Sequence, residues 1–273
     1  MAGAWSVPEL SAALAPLLPG LRVEVVAEID STNTELMRRA RAGDTAPVLL
    51  VAERQTAGRG RLGRAWCIQG VEPGTQAASL MFSLGLPFAP RDWSGLSLAV
   101  GASVADGLDP GGTAGVRLKW PNDLWMADDR KLAGILIETA SPVAGHGTGA
   151  GAPRQLVIGI GINIGPRDAQ GLRAPPAWVR EWRPDATAAD VLRDIAAPLL
   201  RDVLAFGHQG LAPFAERFAA RDALQGREVD LSDGTTGWCE GIGWGGELRV
   251  RTAAGLQSIV SSDISVRPRR AGE

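Results

Sequence analysis

The sequence predicts two folded units: a mixed α/β domain over residues 1–223 and a small all-β domain over residues 224–273. Three observations carry this. Strand patterns of period two alternate with capped helical patterns from residue 21 onward. From Gln225 the grammar changes to short strands separated by the turn pairs Asp233-Gly234, Gly245-Gly246 and Ala254-Gly255. The chain is 45% hydrophobic over 273 residues, enough for one large core or two modest ones.

The same composition excludes several classes. A formal net charge of −2 lacks the basic excess of a nucleic-acid-binding surface. The two cysteines, Cys67 and Cys239, lie far apart and give no disulfide framework, which suggests a reducing compartment. Residues 1–20 carry no lysine or arginine and include Pro8, Pro16 and Pro19, so they do not read as a signal peptide. No apolar run is long enough to span a bilayer. The expectation is a soluble cytoplasmic protein without membrane contact.

In chain order, residues 6–14 predict a short helix and residues 21–29 a strand. Thr32 followed by Glu35 predicts a capping box for a helix ending near Gly43. Residues 48–52 and 78–86 read as strands, 93–108 as an amphipathic helix, and 116–120 as a strand broken by Pro121. Residues 131–138 form an apolar strand with a lysine at its mouth. The glycine-rich stretch 141–153 reads as an extended hairpin loop. Thr187 with Asp190 caps a long helix through Val191, Ile195, Leu199, Val203 and Phe206, which Pro198 is expected to bend. Residues 211–223 predict a shorter helix, and 227–231, 236–244, 247–252 and 257–260 the strands of a small barrel.

Three stretches carry chemistry. Gly58-Arg59-Gly60-Arg61-Leu62-Gly63-Arg64, introduced by Gln55-Thr56-Ala57 and followed by Trp66, alternates three glycines with three arginines. Glycine lets a ligand approach the main chain, and arginine offers a charged fork for carboxylate or phosphate. An anion-closing loop and a solvated basic loop both fit. Lys119-Trp120-Pro121-Asn122-Asp123 packs a cation, an indole, a rigid turn and two polar side chains into five positions. The turn explains Pro121, Asn122 and Asp123 but not the ammonium beside the indole. In the strand 156–164, Ile158, Ile160, Ile162 and Ile164 share one face and Gly159, Gly161 and Asn163 the other. That second face is either a flat ligand floor or a site of close packing.

With Ser31-Thr32-Asn33 and Arg130-Lys131-Leu132-Ala133-Gly134-Ile135-Leu136, these stretches resemble the biotin protein ligases. They occur in the family's order across residues 25–165, and the small terminal β-domain also fits. The resemblance implies an α/β (α+β) catalytic domain related to class II aminoacyl-tRNA synthetases, a mixed sheet with flanking helices, followed by an SH3-like barrel. It implies that biotin and MgATP give biotinyl-5′-AMP, which then biotinylates a lysine of a biotin carboxyl carrier domain. No tightly bound prosthetic group is implied, metal ligands stay unassigned, and a homodimer is left open.

By the same resemblance, Ser31, Thr32 and Gln55 would hydrogen-bond the ureido ring of biotin, with Asn33 and Gly58 beside them. Backbone N–H groups around Arg59 and Gly60, with Lys131, would hold its carboxylate. Gly134 and Gly161 would leave an unobstructed floor. Arg61, Arg64 and Lys119 would face phosphates, Asn122 and Asn163 the adenine or ribose, and Trp178 would pack on the adenine. Lys131, Arg61 and Asp123 would be the catalytic residues, Asp123 orienting a metal or the attacking group. Many family members carry an N-terminal helix-turn-helix domain that represses biotin synthesis. The stretch before Ser31 is too short for one, so ligase activity without DNA binding is expected. Lipoate or octanoate ligases are the nearest alternative; residues 58–64 and 119–123 look like the biotin branch. A nucleic-acid-binding regulator using the Arg/Gly loop is the alternative from another class, opposed by the charge.

Overall fold

The computed structural model describes residues 5–64, 66, 78–140, 153–169, 172, 174–260 and 264–269. The expected stretches Cys67 and 141–152 lie outside these residues. Helix α1 (Val7–Leu14) leads into strand β1 (Arg22–Ile29), helix α2 (Thr32–Arg41), strands β2 (Val48–Gln55) and β3 (Ser79–Phe88), and helix α3 (Leu96–Leu108). Then come β4 (Val116–Lys119), β5 (Asp123–Met126), β6 (Lys131–Ala140) and β7 (Arg154–Asn163), followed by α4 (Ala188–Gln209) and α5 (Ala212–Ala219). These strands form one seven-stranded sheet in the order β1-β2-β3-β7-β6-β5-β4. Only the β1–β2 pair is parallel, so the sheet is mixed. Ala140 pairs with Gln155, which makes β6 and β7 a hairpin across the 141–152 stretch.

Each face of the sheet is buried by different helices. α3 contacts β4, β5 and β6, and α4 packs on α3 and β3 over a core that includes Phe82, Ile158, Ile160, Ile162 and Ile164. The isoleucine side of β7 is therefore the core face. α2 lies on the opposite face against β2, β3, β6 and β7, burying Leu36, Met37, Ala40, Leu50 and Val157. At roughly 1.5–3 kcal/mol per fully buried large apolar side chain, this two-sided burial holds β3 and β7 as the rigid centre of the domain.

Two helices differ from their sequence patterns. Ser31, not Thr32, caps α2, accepting from the Thr34 N–H at 3.4 Å; Thr32 is the first helical residue and its hydroxyl is free for other contacts. α3 is not amphipathic: ten of its thirteen residues are buried. The small residues that look like a polar face instead allow close packing. A Cβ at Gly101 would lie 3.2 Å from Leu118, and one at Gly107 2.9 Å from Ile195. The Thr187–Asp190 capping box on α4 is present, and the helix runs through Pro198.

The terminal domain is a five-stranded antiparallel sheet, SH3-like, in the order β11-β10-β9-β8-β12. Its strands are β8 (Glu228–Leu231), β9 (Thr236–Ile242), β10 (Leu248–Thr252), β11 (Gly255–Ile259) and β12 (Val266–Pro268). β5 and β12 have no counterpart in the sequence reading; β5 carries the apolar run Leu124-Trp125-Met126 without alternation, and β12 has only three residues. The domain is tied to the first by the Arg227–Asp129 ion pair of 2.6 Å and by the Trp120 indole N–H donating to Gly246 O at 3.0 Å.

Candidate active site

The glycine face of β6 and β7 floors a cavity of about 760 Å³. The start of α2, the end of β2, the Gly/Arg loop, the β4–β5 turn, residues 174–176 and the 264–268 segment wall it. Of the residues expected from sequence, Ser31, Thr32, Asn33, Gln55, Arg59, Gly60, Arg61, Arg64, Lys119, Asn122, Asp123, Lys131, Gly134, Gly161 and Asn163 all line it. Gly58 and Trp178 do not. Trp178 stands at the N-cap of the single turn Val179–Glu181.

The Gly/Arg loop is a hydrogen-bonded hairpin. The Trp66 N–H donates to Gly58 O at 2.8 Å and the Gly60 N–H to Arg64 O at 2.7 Å. Gly58 is needed because a Cβ there would sit 2.5 Å from Trp66 O. Gly60's N–H is thus committed inside the loop, against the expectation that it holds a carboxylate. Leu62 (φ 57) and Gly63 (φ 69) turn the tip in the left-handed region. The loop's arginines reach different walls: Arg59 to Glu138 at 3.1 Å, Arg61 to Asn122 Oδ1 at 3.4 Å, and Arg64 to Ser265 Oγ at 2.8 Å.

The flat floor is real, and the indole of Trp66 lies on it. A Cβ at Gly161 would come 2.5 Å from the Trp66 ring, and one at Gly134 3.1 Å from it. The Lys131 ammonium and the Arg167 guanidinium lie 5.6 and 5.4 Å from the same ring. A Cβ at Gly159 would overlap the Asn33 amide. Of the two sequence alternatives for this face, the structure shows close packing: Trp66 covers Gly134 and Gly161, which are therefore not unobstructed, and Asn33 covers Gly159.

Charge converges at one end. The Lys131 ammonium donates to Asp123 Oδ1 at 2.7 Å, so Asp123 is its counter-ion. Lys119, paired with Asp123 across β4 and β5, is only 8% exposed and sits 5.3 Å from the Trp125 ring centre. Burial lowers its pKa to about 8; Asp123 opposes this, and Lys131, Arg61 and Arg64 add to it. Five further residues were not singled out from the sequence: Arg167, Pro175, Pro176, Ser265 and Arg267 complete the walls. They sit in irregular or terminal segments without a pattern to mark them.

The asparagines serve the framework. Asn163 donates to Lys131 O at 3.1 Å and Ala177 O at 2.9 Å, and accepts from Arg167 at 2.8 Å. Asn122 donates to Ile135 O at 2.8 Å. Asn33 donates to Leu136 O at 3.2 Å and Glu138 Oε2 at 3.0 Å. Ser83, fully buried beneath the start of α2, lies 2.6 Å from Asn33 Oδ1 and 2.7 Å from Thr32 Oγ1. Neither Ser83 nor Glu138 carried a sequence signal. Among the described residues, no three His, Cys, Asp or Glu side chains converge as a metal site, and no helix is long and apolar enough to cross a membrane.

Known proteins share this architecture. The model of the biotin/lipoate A/B protein ligase family matches residues 25–163. The bifunctional ligase/repressor BirA of Escherichia coli is 35% identical over 263 residues, covering 92% of this chain and 75% of its own. A biotin–[acetyl-CoA-carboxylase] ligase of Paracoccus denitrificans is 32% identical over 249 residues, covering 88% of this chain and 98% of its own. Among solved structures, the biotin protein ligase from Aquifex aeolicus in complex with biotin and ATP aligns with a TM-score of 0.73 at 27% identity, covering 90% of this chain and 99% of that one.

Proposed function

The chain belongs to the biotin/lipoate A/B protein ligase family, and from that membership we propose its chemistry: it is an ATP-dependent biotin ligase. It activates biotin as biotinyl-5′-AMP and transfers the acyl group to a lysine of a biotin carboxyl carrier domain.

The observation that carries this reading is the convergence of Lys119, Lys131, Arg61 and Arg64 at one end of a glycine-floored cavity whose other end is lined by Ser31, Thr32 and Gln55. Two anions, a carboxylate and a triphosphate, must meet in the first step, and fixed cations remove their mutual repulsion. A carboxylate oxygen attacks the α-phosphorus while the bond to pyrophosphate breaks. Lys131, held by Asp123, neutralises the carboxylate and stays beside the α-phosphate. Lys119, Arg61 and Arg64 hold the phosphates, and phosphate contact keeps Lys119 protonated. In the second step the acceptor amine attacks the acyl carbon, AMP leaves, and the amine loses a proton. Mg²⁺ entering with ATP would supply charge neutralisation on the phosphates; among the described residues no cluster of three His, Cys, Asp or Glu side chains is arranged to hold it alone. This chemistry suits the cytoplasm, where ATP and carboxylases are found.

The polar end favours biotin over lipoate. A ureido ring pairs with buried hydroxyl and amide groups, whereas a dithiolane would leave them unsatisfied at about 1–3 kcal/mol each. The test is mass spectrometry of a carboxyl carrier domain incubated with the protein, biotin and MgATP. The expected result is a mass gain of one biotin on one lysine. No gain with biotin, or gain with lipoate instead, overturns the reading.

A further inference from the structure

Beneath the cavity, a chain of buried polar groups leaves the hydroxyl protons only one consistent arrangement. Hydrogens follow from the network's own accounting, because each hydroxyl has one proton and each amide a fixed pair of donors. Asn33 is the starting point. Its Nδ2 faces the Leu136 carbonyl at 3.2 Å and a Glu138 carboxylate oxygen at 3.0 Å, both acceptors. The amide therefore cannot be reversed, and its Oδ1 faces Ser83 Oγ at 2.6 Å. An amide oxygen only accepts, so the Ser83 proton lies in that contact.

Ser83 then has only lone pairs left for Thr32 Oγ1, 2.7 Å away. A contact that short between two hydroxyls holds a proton, and it must be the one on Thr32. The alternative, Thr32 donating to Gln55 Oε1, spans a longer 3.1 Å. It would also leave the 2.7 Å contact with two facing lone pairs. Gln55 Oε1 already accepts the Thr32 N–H at 2.7 Å. That bond fixes the Gln55 amide with its Nε2 donors on the other side.

We infer that Ser83 is a positioning residue that sets the polarity of Thr32, so that Thr32 meets the ligand as a hydrogen-bond acceptor and selects a ring bearing an N–H. Thr32 lines the cavity with its hydroxyl proton turned inward. Ser31, whose oxygen accepts the Thr34 N–H at 3.4 Å, keeps its proton for the cavity, as Gln55 keeps its amide donors. The subsite is thus two donors beside one acceptor, the complement of a cyclic urea, whose carbonyl accepts and whose N–H donates. This deepens the proposed function and rests on it, since it takes this end of the cavity as the ureido subsite.

The test uses the full chain, isothermal titration, and three ligands: biotin and its two cyclic carbamate isosteres, each replacing one ureido N–H with a ring oxygen. In the wild type, one isostere places its oxygen lone pairs against those of Thr32. It should bind about ten- to a hundredfold more weakly than biotin, the range for one unmet buried hydrogen bond. Ser83→Ala frees the Thr32 proton to turn outward, so the penalty on that isostere should shrink to about threefold or less. A packing role for Ser83 would weaken all three ligands alike and leave the ratio unchanged. Ser83→Thr should restore it. Should the alanine variant fail to fold, Ser83→Cys replaces it, because a thiol is too weak a donor and acceptor to orient Thr32. Equal binding of both isosteres and biotin by the wild type overturns the inference, as does an unchanged ratio in the variants. A wild type that binds no biotin at all instead overturns the proposed function.

Discussion

Lys119 offers a stability measurement that reads the electrostatics of the site directly. The residue is 8% exposed and its pKa falls from 10.5 to about 8, chiefly through burial. The sign follows from linkage. Below pH 8 the lysine is charged in both the folded and unfolded chain, and the folded state bears the full cost of burying it. Between pH 8 and 10.5 the folded state has released its proton while the unfolded chain has not, so stability rises. At 1.36 kcal/mol per pKa unit the rise approaches about 3 kcal/mol. Lys119→Met keeps the length of the side chain and has nothing to titrate. The variant should be more stable than wild type at pH 7, and the gap should close by roughly that amount by pH 10.5. The window is clean because the chain has no tyrosine and lysine only at positions 119 and 131. Cys239, its thiol pushed up to about 12 by burial, acts in the opposite sense above the unfolded thiol's pKa. It is present in both proteins and cancels in the difference. The assay is denaturant unfolding of both proteins at half-unit steps from pH 7 to 10.5. A gap that stays constant across that range would refute the argument that a buried, charged Lys119 is held in the fold at a cost.

Lys131→Ala should abolish most adenylate formation, measured as biotin-dependent pyrophosphate release, while thermal unfolding shows a folded protein, because the residue sits at a strand mouth; undiminished release removes it from the first step. Gly161→Val adds atoms where the Trp66 ring already lies 2.5 Å from a Cβ, so biotin affinity by calorimetry should drop far more than thermal stability, with the isoleucine face of β7 left intact. Arg61→Gly removes the side chain that reaches Asn122 from the loop, and with it the proposed charge-assisted bond to the adenylate phosphate, worth roughly 1.5–3 kcal/mol. The variant should still make biotinyl-AMP but release it about ten- to a hundredfold faster. Added serum albumin should then be labelled more heavily than by wild type, and equal labelling would show that Arg61 does not retain the intermediate.

What could be read from the chain, and what could not, divides along a physical line. A lysine opening an apolar strand, arginines alternating with glycines, and glycines alternating with isoleucines are all residue types that local structure does not ask for. Their chemistry is visible in one dimension, and the fold does bring Lys131, Arg61, Lys119 and Gly161 to one cavity. Asn33 and Asn163 were visible in the same way, yet their amides are taken up by the framework. Their partners are chosen by strand pairing: Glu138 lies 105 residues from Asn33, and Lys131 lies 32 residues from Asn163. Ser83 was silent altogether, because a serine on a buried strand looks the same whether its hydroxyl orients a binding residue or merely fills space. β5 carries the unbroken apolar run Leu124-Trp125-Met126 and β12 has only three residues, so neither shows alternation, and Arg267 beside the cavity had no element to place it. Sequence thus marks the groups that face a ligand more readily than the groups that decide which way those faces point. In this protein the second kind includes Ser83, fully buried, and Glu138, which accepts from the Asn33 amide. They govern whether a hydroxyl such as that of Thr32 gives or takes a proton.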